Sequence, residues 1–185
     1  MFILYALAIG IAAGLLLRGR LEGLASLEFR WAPVLLAALL VQIILFSGPV
    51  SERIGPAGPP LYVLSTGIAL GAILRNWRTR GIPLVALGAG SNLLAIVANG
   101  GFMPVSAAAL GGHANAAAGY SNSRLLTQPA LAPLTDIFAM PAGMPFANVF
   151  SVGDVLIGLG VVVVIVAAMR APVAPTVAAP EAESA

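Results

Sequence analysis

Five runs of apolar residues separated by short polar stretches constrain this chain more than anything else in it: Phe2–Leu17, Ala32–Phe46, Leu61–Leu74, Ile82–Ala98 and Asp154–Met169. Each is about 14 to 17 residues long, close to the roughly 20 that a helix needs to cross a bilayer once flanking residues are added. Within hydrocarbon every backbone amide must find its partner inside the segment, so runs of this kind fold as helices. The charged fraction is 9%, against about 25% in a soluble domain. The mean hydropathy of +1.00 points the same way. The expected fold is therefore all-α: a polytopic membrane helix bundle of about five transmembrane helices. It forms a single domain over residues 1–170, followed by a Pro/Ala/Glu-rich tail over 171–185 whose composition predicts disorder.

Individual side chains refine this reading. Gly10/Gly14 and Gly67/Gly71 have the small-xxx-small spacing that lets helices approach closely. Gln42 interrupts the second run and is expected to face another helix, and Ser65 and Thr66 are placed to bond back to helix carbonyls. Asn92, beside Ser91 in the hydrocarbon zone, reads as a hydrogen bonder between helices. Trp31 is placed as an interface anchor. Ser47–Pro60, rich in Gly and Pro, reads as a turn-rich surface loop.

Arginine positions set an orientation. Arg18, Arg20, Arg30, Arg75, Arg78, Arg80 and Arg170 fall on one side of a five-span chain, and only Arg53 and Arg124 on the other. Cytoplasmic loops carry the excess of basic residues, so the expected topology in the plasma membrane has the N-terminus outside and the C-terminus inside. The long connection Asn99–Ser151 is then extracytoplasmic. A loop of this length is uncommon in a compact domain and often functional. Within it, Gly100–Tyr120 is expected to pack over the mouth between the fourth and fifth spans, and Ser123–Leu134 to lie along the membrane as an amphipathic piece.

Composition removes several chemistries. There is no cysteine, hence no thiolate metal site or cysteine nucleophile. The single histidine, His113, cannot supply a histidine cluster and reads as a solvated loop residue. Gly88–Gly90 lacks the further glycine or lysine of a phosphate loop. With so few charges, the high pI implies no nucleic-acid surface. No metal or cofactor is expected; the partners expected are the bilayer with either a membrane protein or a lipid-linked substrate.

Between Ile54 and Arg170 the only acidic residues are Asp136, in a Pro/Gly-punctuated part of the long loop, and Asp154, at the mouth of the last run. Carboxylates are costly near a bilayer, about 2.5–3.5 kcal/mol at its centre, so two flanking one loop call for an explanation. A shared, partly dehydrated pocket would keep one protonated and one ionised, the pair needed to activate water and to protonate a carbonyl oxygen. Asn92, Asn99, Asn148 and Ser151 are candidate supporting polar residues. The structural alternative is that Ser151-x-x-Asp154 caps the last helix and Asp136 solvates an interfacial turn.

The stretch Asn92–Ser106 (NLLAIVANGGFMPVS), followed by LTDIFAMP and ANVFSVGDVLIGLG, resembles a bacterial membrane family, domain of unknown function 5317. That resemblance implies a membrane location and no particular activity. A second one is chemically more specific. Lipoprotein signal peptidases carry one catalytic aspartate in the loop after the penultimate helix and another in a Phe-Asn-x-Ala-Asp motif opening the last. Asp136 and the Phe150–Asp154 stretch are similar in position, with Ser151 and Gly153 replacing that motif's Asn and Ala. Their Gly-Asn-Leu-x-Asp-Arg motif is matched only at Asn92 and Leu93. Two functions stay open: a non-enzymatic membrane component that binds a partner through its long loop, and an intramembrane aspartyl hydrolase with an Asp136/Asp154 dyad.

Overall fold

The computed structural model describes residues 2–110 and 122–172; His113, Tyr120 and the tail from 173 onward lie outside the described residues. Eight helices and two small two-stranded sheets are described: α1 (Phe2–Leu16), α2 (Glu22–Ala25), α3 (Ala32–Leu45), α4 (Gly48–Ile54), α5 (Gly58–Leu74), α6 (Ile82–Ala98), β1 (Met103–Val105), α7 (Ala107–Leu110), β2 (Ser123–Leu125), β3 (Phe138–Ala139), β4 (Val149–Phe150) and α8 (Val152–Met169). All five apolar runs are helical. Helix α8 packs against both α1 and α6, α6 packs on α5, and α5 on α3.

Two described helices are long and apolar enough to cross a membrane: the helical stretch Gly48–Leu74 and Val152–Met169. The former includes the residues read from sequence as a surface loop, a reading the structure corrects. Pro49 and Pro59 sit in the first turns of α4 and α5, where the missing N–H removes no helix bond. A 3-10 turn with Gly55 at φ +51° joins the two helices.

Glycine makes the close approaches. A Cβ at Gly10 would come within 2.9 Å of Ile165, and one at Gly14 would run into Met169, so both glycines of α1 serve packing on α8. Gly67 and Gly71 face open space, which corrects the expectation that they are packing positions. Gln42 Nε2 donates to Thr66 Oγ1 at 3.3 Å between α3 and α5, as its place in an apolar run demands. Ser65 and Thr66 donate to the Tyr62 carbonyl one turn back.

The long connection folds back onto the bundle end. Parallel strands β1 and β2 pair Met103 with Ser123 and Val105 with Leu125. Antiparallel β3 and β4 pair Phe138 with Phe150. Met103 enters the buried cluster of Leu45, Tyr62, Ala95 and Ile96, so the start of the long connection packs on α3, α5 and α6, the last of these the fourth apolar run. Residues 111–121 of the segment expected over the mouth of the fourth and fifth spans lie outside the described residues. Residues 123–134 contain β2 and a 3-10 turn at Ala132–Leu134. Asn99 clasps the returning chain: its Nδ2 donates to the Ala130 carbonyl at 2.9 Å, and its Oδ1 accepts from the Ala130 N–H at 2.9 Å.

Candidate carboxylate cleft

The site begins with a helix start. Ser151, extended at φ −105°, caps α8: its Oγ accepts the Asp154 N–H at 3.0 Å, and Asp154 Oδ2 accepts the Ser151 N–H at 3.0 Å. The sequence pattern is thus a complete capping box, satisfying two amides that the first turn would leave unpaired.

A third residue ties the box to the neighbouring helix. Asn92 of α6 donates from Nδ2 to Asp154 Oδ1 at 2.9 Å and accepts the Ser151 hydroxyl at Oδ1, 2.8 Å away. Helices α6 and α8 can come this close because Gly88 and Gly153 face each other. A Cβ on Gly153 would run into Asn92 Oδ1, and one on Gly88 into the Gly153 carbonyl. Each Asp154 oxygen therefore has a fixed donor, and the carboxyl orientation is set by two elements at once.

Asp136 comes to the same place from the loop. Its backbone forms a parallel bridge with Val105: the Asp136 N–H donates to the Pro104 carbonyl at 2.9 Å, and the Asp136 carbonyl accepts the Ser106 N–H at 3.1 Å. The residue is 7% exposed. Both aspartates line one cleft of about 420 Å³, with Phe2, Ile3, Asn122, Ser123, Asn148, Val149 and Ile157. Among the described residues no side chain donates a hydrogen bond to the Asp136 carboxyl. Its pKa is pushed up to about 7, chiefly by burial and secondarily by the negative charge of Asp154.

Phe2, which lines the cleft, belongs to a stack of aromatic rings. Phe150 stacks between Phe2 at 4.8 Å and Phe138 at 5.4 Å. The Tyr5 hydroxyl reaches across to the Pro145 carbonyl at 2.6 Å, tying α1 to the loop before α8.

Of the residues singled out from sequence, Asp136, Asp154 and Asn148 line the cleft, and Asn92 and Ser151 hold Asp154 from behind. Asn99 does not line it; its side chain clasps Ala130, a correction to its place among the site's polar supports. Asn122, Ser123 and the α1 residues Phe2 and Ile3 were not foreseen. They reach the cleft through the β1–β2 pairing and the α1–α8 packing, and neither leaves a periodic trace in sequence.

A helical bundle that holds its isolated carboxyl groups in one cleft at the start of its central helix defines the class of protein. The chain belongs to a family of unknown function, DUF5317, whose sequence pattern matches residues 26–166. No curated protein and no solved structure matches it. These comparisons do not show the resemblance to lipoprotein signal peptidases.

Proposed function

We propose that this is a five-span plasma-membrane protein that uses Asp136 and Asp154 as the acid–base pair of an aspartyl hydrolase, acting from the extracytoplasmic side. The spans are α1, α3, α5, α6 and α8. Three of them, Phe2–Leu16, Ala32–Leu45 and Ile82–Ala98, are apolar but shorter than a full crossing, and flanking turns complete them. Their large side chains support this reading: Leu36, Ile43, Leu64 and Leu87 are each 60% exposed or more, which water would penalise and lipid would not.

The observation that carries the catalytic reading is that the only two acids of the apolar body line one cleft, one clamped by two donors and the other with no side-chain donor among the described residues. Capping accounts for Asp154 but not for Asp136. A largely buried carboxyl that lines a cleft, with its pKa raised by burial and by a second carboxylate, suits proton transfer. In this mechanism Asp154 takes a proton from water as the water oxygen attacks an amide or ester carbonyl carbon. Asp136 gives its proton to the carbonyl oxygen, so the intermediate is a neutral gem-diol. Its collapse returns a hydroxyl proton to Asp136 and passes the proton on Asp154 to the leaving group, which restores both carboxyls.

The test is complementation of a deletion strain by Asp136→Asn, Asp154→Asn and the double variant, with membrane abundance measured alongside. Each single variant is expected to lose as much function as the double, because the two carboxyls act as a unit. Full complementation by either single variant would leave the other reading, a partner-binding membrane component.

A further inference from the structure

At the opposite end of the bundle lies a second cleft, of about 600 Å³, lined by Glu28, Arg30, Leu74, Arg75, Asn76, Trp77, Arg78 and Thr79. We propose that it is a binding site for the phosphate headgroup of an anionic phospholipid.

Its floor is built rather than incidental. Asn76 is 6% exposed and makes three hydrogen bonds. Its Oδ1 accepts the Arg30 N–H at 2.7 Å, while its Nδ2 donates to the Arg30 carbonyl at 2.8 Å and to the Ala72 carbonyl at 2.9 Å. This clamp fixes the segment before α3 to the end of α5, so Arg30 converges on Arg75 and Arg78 from another part of the chain. Three arginines line the cleft against one acidic residue, Glu28. The one salt bridge among the described residues joins Arg20 to Glu22 and involves none of them. Unpaired guanidinium groups converging on a concave surface suit a phosphate, which they bind through paired N–H donors. Trp77, 54% exposed, adds the amphipathic ring characteristic of the headgroup level. In the five-span reading proposed above, on which this inference rests, a bilayer supplies the ligand at this depth, which favours a lipid phosphate over one free in solution.

The test uses the full chain in lipid nanodiscs with Trp31→Phe, which leaves Trp77 as the sole tryptophan and a reporter inside the cleft. Fluorescence quenching by brominated phosphatidylglycerol is compared with quenching by brominated phosphatidylcholine. The anionic lipid is expected to quench at a mole fraction lower by about fivefold or more. Replacing Arg30, Arg75 and Arg78 together by Lys retains the charge but removes the paired donors, and should abolish most of that preference. Equal quenching by the two lipids in the unsubstituted cleft would overturn the proposal. So would an undiminished preference in the lysine variant, since diffuse charge would then suffice. Reversal of the preference by millimolar inorganic phosphate would assign the cleft to free phosphate and contradict a lipid ligand.

Discussion

Asp136 and Asp154 are both carboxylates beside apolar sequence, yet their surroundings divide their roles. Asp154 accepts from the Asn92 side chain and the Ser151 amide, so its position is fixed by α6 and α8 together. Substituting Asn leaves one acceptor oxygen for two donors, and Asp154→Asn should cost about 1 kcal/mol in unfolding free energy while the fold survives. Asp136 should behave oppositely. Folded, it holds its proton up to about pH 7, whereas unfolded it releases it near 3.8. The folded state binds the extra proton between these values, so the stability present at about pH 4 is lost as the pH rises through about 7. The loss amounts to about 4 kcal/mol at most. Thermal unfolding in detergent across this window should show the decline in the unsubstituted protein, and Asp136→Asn should flatten it. An unchanged slope would mean that Asp136 does not titrate there. Both aspartates stood out in the sequence because nothing else in the apolar body is acidic. Their common cleft was not legible, because a backbone bridge between Val105 and Asp136 brings them together.

Helix α8 packs against both α1 and α6, and its small residues permit this. A methyl added at Gly88 meets the Gly153 carbonyl, backbone that cannot swing away, so Gly88→Ala should destabilise by about 1–3 kcal/mol and loosen the Asn92–Asp154 bond. Gly71 meets nothing, so Gly71→Ala should be neutral or stabilising by up to about 1 kcal/mol. Thermal midpoints of the two variants in one detergent check the pair, and equal effects would refute the assigned packing. The Gly10/Gly14 and Gly67/Gly71 pairs carry the same signal in sequence, yet only the first is packed, since spacing marks a helix face but not whether another helix covers it. The five long helices were readable because apolar length alone requires them. Ser47–Pro60 was misread because Pro49 and Pro59 look like breakers, although a proline in a first turn favours a helix start. Strands of two or three residues leave no pattern, and the Asn76 and Asn99 clamps were hidden because both bind backbone groups of distant segments.

At the scale of the molecule, the N-termini of α1 and α8 frame the carboxylate cleft, while the arginine-lined cleft lies at the far end of α5. In the proposed five-span arrangement these ends would face opposite sides of the membrane, with most arginines inside. A reporter active only in the cytoplasm should work when fused after Arg170 and stay silent when inserted after Leu125; the reverse would move the aspartates inside. The proposed chemistry depends most on Asp136 retaining a proton near neutral pH, held there chiefly by burial and further by the charge of Asp154 in the same cleft. Infrared difference spectra of the carboxyl stretch, recorded on membranes from pH 4 to 9 and compared with Asp136→Asn, isolate this one group. We predict a protonated Asp136 band that disappears with a midpoint near pH 7, and at a lower pH in Asp154→Asn. A midpoint near pH 4, or one that Asp154→Asn leaves unmoved, would contradict a coupled acid–base pair.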